Sequence, residues 1–95
     1  MKVKTDIPGE EYDICSVFVE ASRDKEKDVY FYVVGEIHGT YGCVHKRVIR
    51  TFLGRNMDAA FDLLEELRAG LEAEAAGRLA ALKAKLAAVS RKEQP

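Results

Sequence analysis

The sequence predicts an α+β chain: a three-stranded antiparallel β-meander followed by one long or broken C-terminal helix. Two observations carry that reading. Between Tyr12 and Phe52, apolar and aromatic residues alternate along three runs separated by charged or glycine-bearing turns, the period-two pattern of strands. From Met57 onward the period changes, and leucines and alanines recur every three or four residues as far as Val89.

Residues 1–11 hold Pro8 and Gly9 among charges and read as an irregular arm. Tyr12 to Ala21 then sets Cys15, Val17, Val19 and Ala21 on one face of a strand and Ile14, Ser16, Phe18 and Glu20 on the other. Arg23 to Asp28 is a solvated charged turn, and Val29 to His38 is a second strand rich in β-branched and aromatic residues. Gly39 to Gly42 makes a tight connection, after which Cys43 to Phe52 supplies a third strand with Val44, Val48 and Phe52 on one side. The expected sheet spans 12–53, its order is β-β-β-α(-α), and a fourth strand is not expected. Gly54-Arg-Asn56 ends the sheet, and Asn56 or Asp58 is placed to cap the helix that follows.

The helical region, 57–92, is the most informative part of the chain. Its apolar stripe runs Ala60, Leu64, Leu67, Leu71, Ala75, Leu79, Leu82, Leu86, Val89, a coiled-coil-like seam with a stutter near Ala75. The first part is broad, as a helix lying on a sheet requires; the second is a narrow leucine seam bordered by alanines, which suits a facing helix. Charge is sorted along the same length. Six acids and one base lie between Met57 and Glu74, and five bases and no acid between Ala75 and Lys92. The helix dipole favours that order only in the terminal turns, so a gradient this long points to an antiparallel partner helix. An unbroken helix over 57–92 would measure about 54 Å, against roughly 30 Å for a compact domain of this size, so it must overhang. Either it projects and pairs with a second chain, or it breaks at Gly70 or Gly77 and folds back as a hairpin.

Composition bounds the function classes. Ninety-five residues make one domain with a thin core, which a partner subunit would supplement. Fifteen basic and sixteen acidic residues leave a net charge of −1, which argues against bulk binding to a polyanion, although 29–56 is locally basic. The longest apolar run, Val29 to Val34, is too short to cross a membrane, the first residues lack a signal-peptide core, and Cys15 and Cys43 form no C-x-x-C pair. A cytoplasmic location is therefore the expectation.

Chemistry is sparsely encoded. Ser16, Ser22 and Ser90 have no nearby His/Asp arrangement, and the glycines spell neither a phosphate loop nor a dinucleotide fingerprint. Cys43 and His45 would share a strand face, with Cys15 and His38 the other soft ligands, but the close ligand pairs of a zinc site are missing. No enzyme, metal or cofactor is expected. Tyr30 and Tyr32 point the same way, with Lys46 and Arg50 expected on one face of the next strand, His45 and Arg47 on the other, and Arg55 just beyond. Aromatics beside bases on an open sheet can stack bases and neutralise phosphates, or can contact a protein. Both faces of the sheet carry apolar residues, and one helix covers only one of them.

In size and in order of elements the chain resembles small phage-encoded anti-CRISPR proteins. The resemblance covers layout alone and implies a non-enzymatic inhibitor, often dimeric, that blocks a nuclease effector by occupying a docking surface, in the host cytoplasm if phage-encoded. Residues 12–71 are also loosely similar to WGR-type domains, although the chain has no tryptophan and so lacks their signature. The expected function is a non-catalytic protein-interaction module. It is read as a homodimeric inhibitor or adaptor on a larger complex, self-associating through Leu71, Leu79, Leu82, Leu86 and Val89. The alternative is a single-strand nucleic-acid binder using Tyr30, Tyr32, Lys46, Arg47, Arg50 and Arg55.

Overall fold

Two antiparallel sheets and one long helix make up the computed structural model, which describes residues 1–42 and 44–93. A hairpin pairs β1 (Lys2–Lys4) with β2 (Glu11–Asp13), and a meander of order β3-β4-β5 joins β3 (Ser16–Arg23), β4 (Val29–His38) and β5 (Val44–Leu53). Helix α1 (Met57–Glu93) follows directly on a short 3-10 turn at Gly54–Asn56.

The α+β class and the antiparallel meander agree with the sequence reading; the first fifteen residues do not. The expected irregular arm is a hairpin, which brings the strand count to five. Its turn is closed by the Thr5 N–H donating to the Glu10 carbonyl at 3.1 Å and the Glu10 N–H donating to that of Ile7 at 3.0 Å, with Gly9 at φ 81°. Strands of three residues offer only Val3 and Tyr12 as inward positions, too few to display a period. The strand expected from Tyr12 to Ala21 is accordingly two strands with Ile14 and Cys15 as the connection. Ile14 was expected to share a face with Phe18. Instead it is 2% exposed in the core beneath the helix, filling the space above Gly35, where a β-carbon would stand 2.5 Å from Ile14 Cγ2.

A second correction concerns β5. Val34 pairs with Val48 but Val33 pairs with Arg50, so Ile49 is an extra residue in the ladder. A bulge of one residue reverses face parity beyond it. Val44 and Val48 therefore lie on the open face of the sheet, whereas Phe52 packs against the core opposite Phe31. Cys43, the expected first residue of this strand, lies outside the described residues.

The core is formed by Val17, Val33 and Ile49 from the sheet, Ile14 from the connection, and Ala60, Leu64 and Leu67 from α1. Burying each larger aliphatic side chain contributes about 1.5–3 kcal/mol, so this short roster has to carry most of the stability. The hairpin shares the helix-covered side through Val3 and Tyr12 and is tied to the β5 bulge by Asp6, whose N–H donates to the Ile49 carbonyl at 3.3 Å.

The helix neither breaks nor folds back. Leu71 to Gly77 contains no proline and no N-cap to restart a helix, and Met1 Sδ packs 2.5 Å from where a Gly70 β-carbon would stand, so the absent side chain at Gly70 admits the N-terminal residue. From Glu72 to Arg91 every residue is exposed. About 30 Å of helix thus leaves the sheet, and the molecule measures 73 × 30 × 22 Å.

Candidate functional site

The projecting half of α1 carries the expected seam fully uncovered by its own chain. Leu79, Leu82, Leu86 and Val89 are 52%, 53%, 58% and 52% exposed, and Leu71, at the edge of the sheet, is half-buried. The internal-hairpin alternative falls with the continuous helix: among the described residues no second segment lies on these leucines. An apolar stripe of this length is costly to leave in water. It is flanked by Arg78, Lys83, Lys85 and Arg91, all exposed, while Glu65, Glu66, Glu72 and Glu74 occupy the preceding half of the same helix.

Where α1 leaves the sheet, a cleft of about 440 Å³ opens between Met1, Asp13, Ile14, His38, Leu71, Glu74 and Arg78. The Met1 ammonium sits 2.7 Å from Asp13 Oδ1 and 3.0 Å from Glu74 Oε2, and Arg78 reaches the same Glu74 oxygen at 3.8 Å. Hydrogen bonds to Asp13 first and Glu74 second raise the ammonium above its ordinary value of 8.0, and the ammonium in turn holds the Asp13 carboxyl below its usual 3.8. These contacts pin the first residue to the helix at the point where support from the sheet ends.

The uncovered sheet face is the second candidate. Cross-strand register sets Phe18, Val34 and Val48 in one row, Glu20, Tyr32 and Thr51 in the next, and Ser22, Tyr30 and Leu53 in a third. Val34 is 2% exposed yet stands apart from the core cluster, shielded by its neighbours on this face. Lys46 lies here, its ammonium 3.3 Å from Glu20 and 5.3 Å from the Phe18 ring centre. Tyr32 Oη accepts from Ser22 Oγ at 3.0 Å. The Asp24 carboxylate beside Tyr30, followed by burial, pushes that phenol above its ordinary 10.0.

The basic residues do not gather around these tyrosines. The bulge at Ile49 carries Arg50 away from the Lys46 face, contrary to expectation, and its Nε donates to Asp6 Oδ1 at 3.0 Å. Arg47 lies over the Tyr12 ring at 5.9 Å, and Arg55 sits in the turn beside Asp28 and Val29. His45 pairs in the ladder with Ile37 and is exposed. Tyr30 has Asp24 as its charged neighbour, a poor setting for a phosphate.

Among the described residues no three His, Cys, Asp or Glu side chains are grouped to hold a metal ion; the Cys43 half of the Cys43/His45 reading lies outside them. No helix among the described residues is long and apolar enough to cross a membrane. Sequence reasoning missed Asp6, Ile14 and Met1, whose roles depend on the hairpin. Val3 and Tyr12 flanking Pro8-Gly9 were the only trace of it. Comparisons with family models, with curated protein sequences and with solved structures give no match.

Proposed function

We propose that this chain is a non-catalytic protein-interaction module that self-associates through its projecting helix and serves as an inhibitor or adaptor on a larger macromolecular assembly. The observation that carries the reading is the bare leucine seam. Four large aliphatic residues, Leu79 to Val89, line about three turns of α1, each more than half exposed, and among the described residues nothing covers them. Such a segment is costly to leave in water and marginal as an isolated helix, and packing against a second copy relieves both problems. The uncovered sheet face, with Phe18, Tyr30, Tyr32 and Val48, supplies a separate surface for the larger target, since aromatic and aliphatic patches of this type anchor protein interfaces. Inhibition of a nuclease effector, as the layout resemblance suggests, is one form such a module would take.

Sedimentation equilibrium of the full chain tests the reading. The wild-type 10.6 kDa chain is expected to sediment as a dimer, and Leu82→Glu, which sets a charge in the seam, as a folded monomer. A wild-type chain that stays monomeric at high concentration would remove the basis of the proposal.

A further inference from the structure

We infer that the leucine seam of α1 is seated on the open sheet face of a second copy, and that copy's seam on the open face of the first, in a reciprocal two-fold pair. The inference rests on the self-association proposed above and names the surface that receives the tail. Each chain carries two apolar surfaces that nothing covers among the described residues. One is the seam from Leu79 to Val89; the other is the open face of the meander, where Val48 and Leu53 are 48% and 42% exposed beside Phe18, Tyr30 and Tyr32. A sheet with apolar residues on both faces calls for a layer on each, and α1 of the same chain supplies only one.

The shape of the chain lets both surfaces be covered at once. Ala60, Leu64, Leu67 and Leu71 turn towards their own sheet, and at 3.6 residues per turn the mean direction of the seam lies about 50° from theirs, so both halves of α1 address the same side. A second sheet set beside the first, at the same level but inverted, therefore meets the tail with its open face. The two sheets form one layer, and the two helices run antiparallel above and below it, each covering the core face of its own sheet and the open face of the other. The seam spans about 15 Å, enough to cross three strands spaced about 4.8 Å apart. Leu64 and Leu71 keep the core contacts they already make.

Charge selects the sheet face over a second tail. Between Ala75 and Lys92 the tail has five bases and no acid. In a parallel pair of tails Arg78 comes beside Lys83, and in an antiparallel pair with Leu82 on Leu86, Lys83 and Lys85 each come beside their own counterparts; both arrangements oppose bases. The cross-strand rows of the open face carry Glu20 and Glu36 against one base, Lys46, which is itself paired with Glu20. The face assigned above to the larger target is then occupied until the target displaces the tail.

Variants that spoil opposite surfaces test the arrangement. Val48→Lys sets a charge on the open face, outside the core cluster, and is expected to sediment as a folded monomer, as Leu82→Glu does. Mixed at high concentration the two should recover dimer, since the intact tail of the Val48→Lys chain finds the intact face of the Leu82→Glu chain. Thr51→Arg, an exposed substitution on the same face, should weaken the dimer several-fold by opposing the bases of the tail, and it decides the matter even if Val48→Lys fails to fold. A full-strength dimer in Thr51→Arg or in folded Val48→Lys, or a mixture that stays monomeric, would overturn this arrangement while leaving self-association intact. Sedimentation of the wild-type chain as a monomer would instead overturn the self-association itself.

Discussion

Asp6 and Arg50 are joined at 3.0 Å between the hairpin loop and the bulged strand β5, and the same carboxylate accepts the Thr51 N–H at 3.2 Å. With the Asp6 N–H donating to the Ile49 carbonyl, one residue occupies three groups around the extra residue in the ladder. The bulge directs Ile49 into the core at 1% exposure and settles which bases share the tyrosine face. Asp6→Ala is expected to lower unfolding free energy by about 1 kcal/mol, a modest figure because both side chains are about half exposed. Denaturant titration checks it, and a midpoint unchanged from wild type would mean the bulge holds without this clamp.

Three glycines separate close packing from open backbone. Gly35→Ala drives a methyl group into Ile14 at the centre of the core, and a loss of about 1–3 kcal/mol is expected in thermal or denaturant unfolding. Gly77→Ala meets nothing within 4 Å and lies on the helix face away from the leucines, so it should raise helical stability by about 1 kcal/mol and leave the dimer mass unchanged. Gly70→Ala falls between them, since the helix gains propensity while Met1 Sδ must move. Circular dichroism melts of the three variants should rank them in the order Gly77→Ala, Gly70→Ala, Gly35→Ala.

The cleft at the sheet edge predicts a stability plateau bounded on both sides by pH. The Met1 ammonium is raised from 8.0, so its contribution is complete below that value and is lost as pH rises through the folded-state value. Asp13 is lowered from 3.8, so its contribution is complete above that value and is lost as pH falls through the folded-state value. Asp13→Asn should flatten the acid limb and weaken the alkaline one, where Glu74 remains as the second partner of the ammonium. Melting temperature measured across pH checks this; identical profiles for variant and wild type would show that the pair does not couple to folding.

Legibility in the sequence followed the length of each pattern. Strand β4 and helix α1 were readable because ten and thirty-seven residues repeat their period many times, and the leucine seam was readable from its spacing alone. Hairpin strands of three residues repeat nothing, and Ile14 looked like a strand residue because no local signal marks the bend that turns it inward. The face of Arg50 could not be read either. It depends on one residue of slippage at Ile49, held by Asp6 from the other end of the chain, and such slips leave the local composition unchanged. Charge sorting along α1 is legible directly, because acids and bases separate into its two halves over many turns.

Amide hydrogen exchange over Leu79 to Arg91, followed at two protein concentrations, tests the central claim most directly. In a lone chain these turns have no tertiary contact and should open freely, whereas in the paired state the helix is held by its leucines. The account predicts strong protection at high concentration that falls on dilution, while protection of Val33 and Ile49 in the core changes far less. Rapid exchange across Leu79 to Arg91 at every concentration, with the core protected, would contradict it.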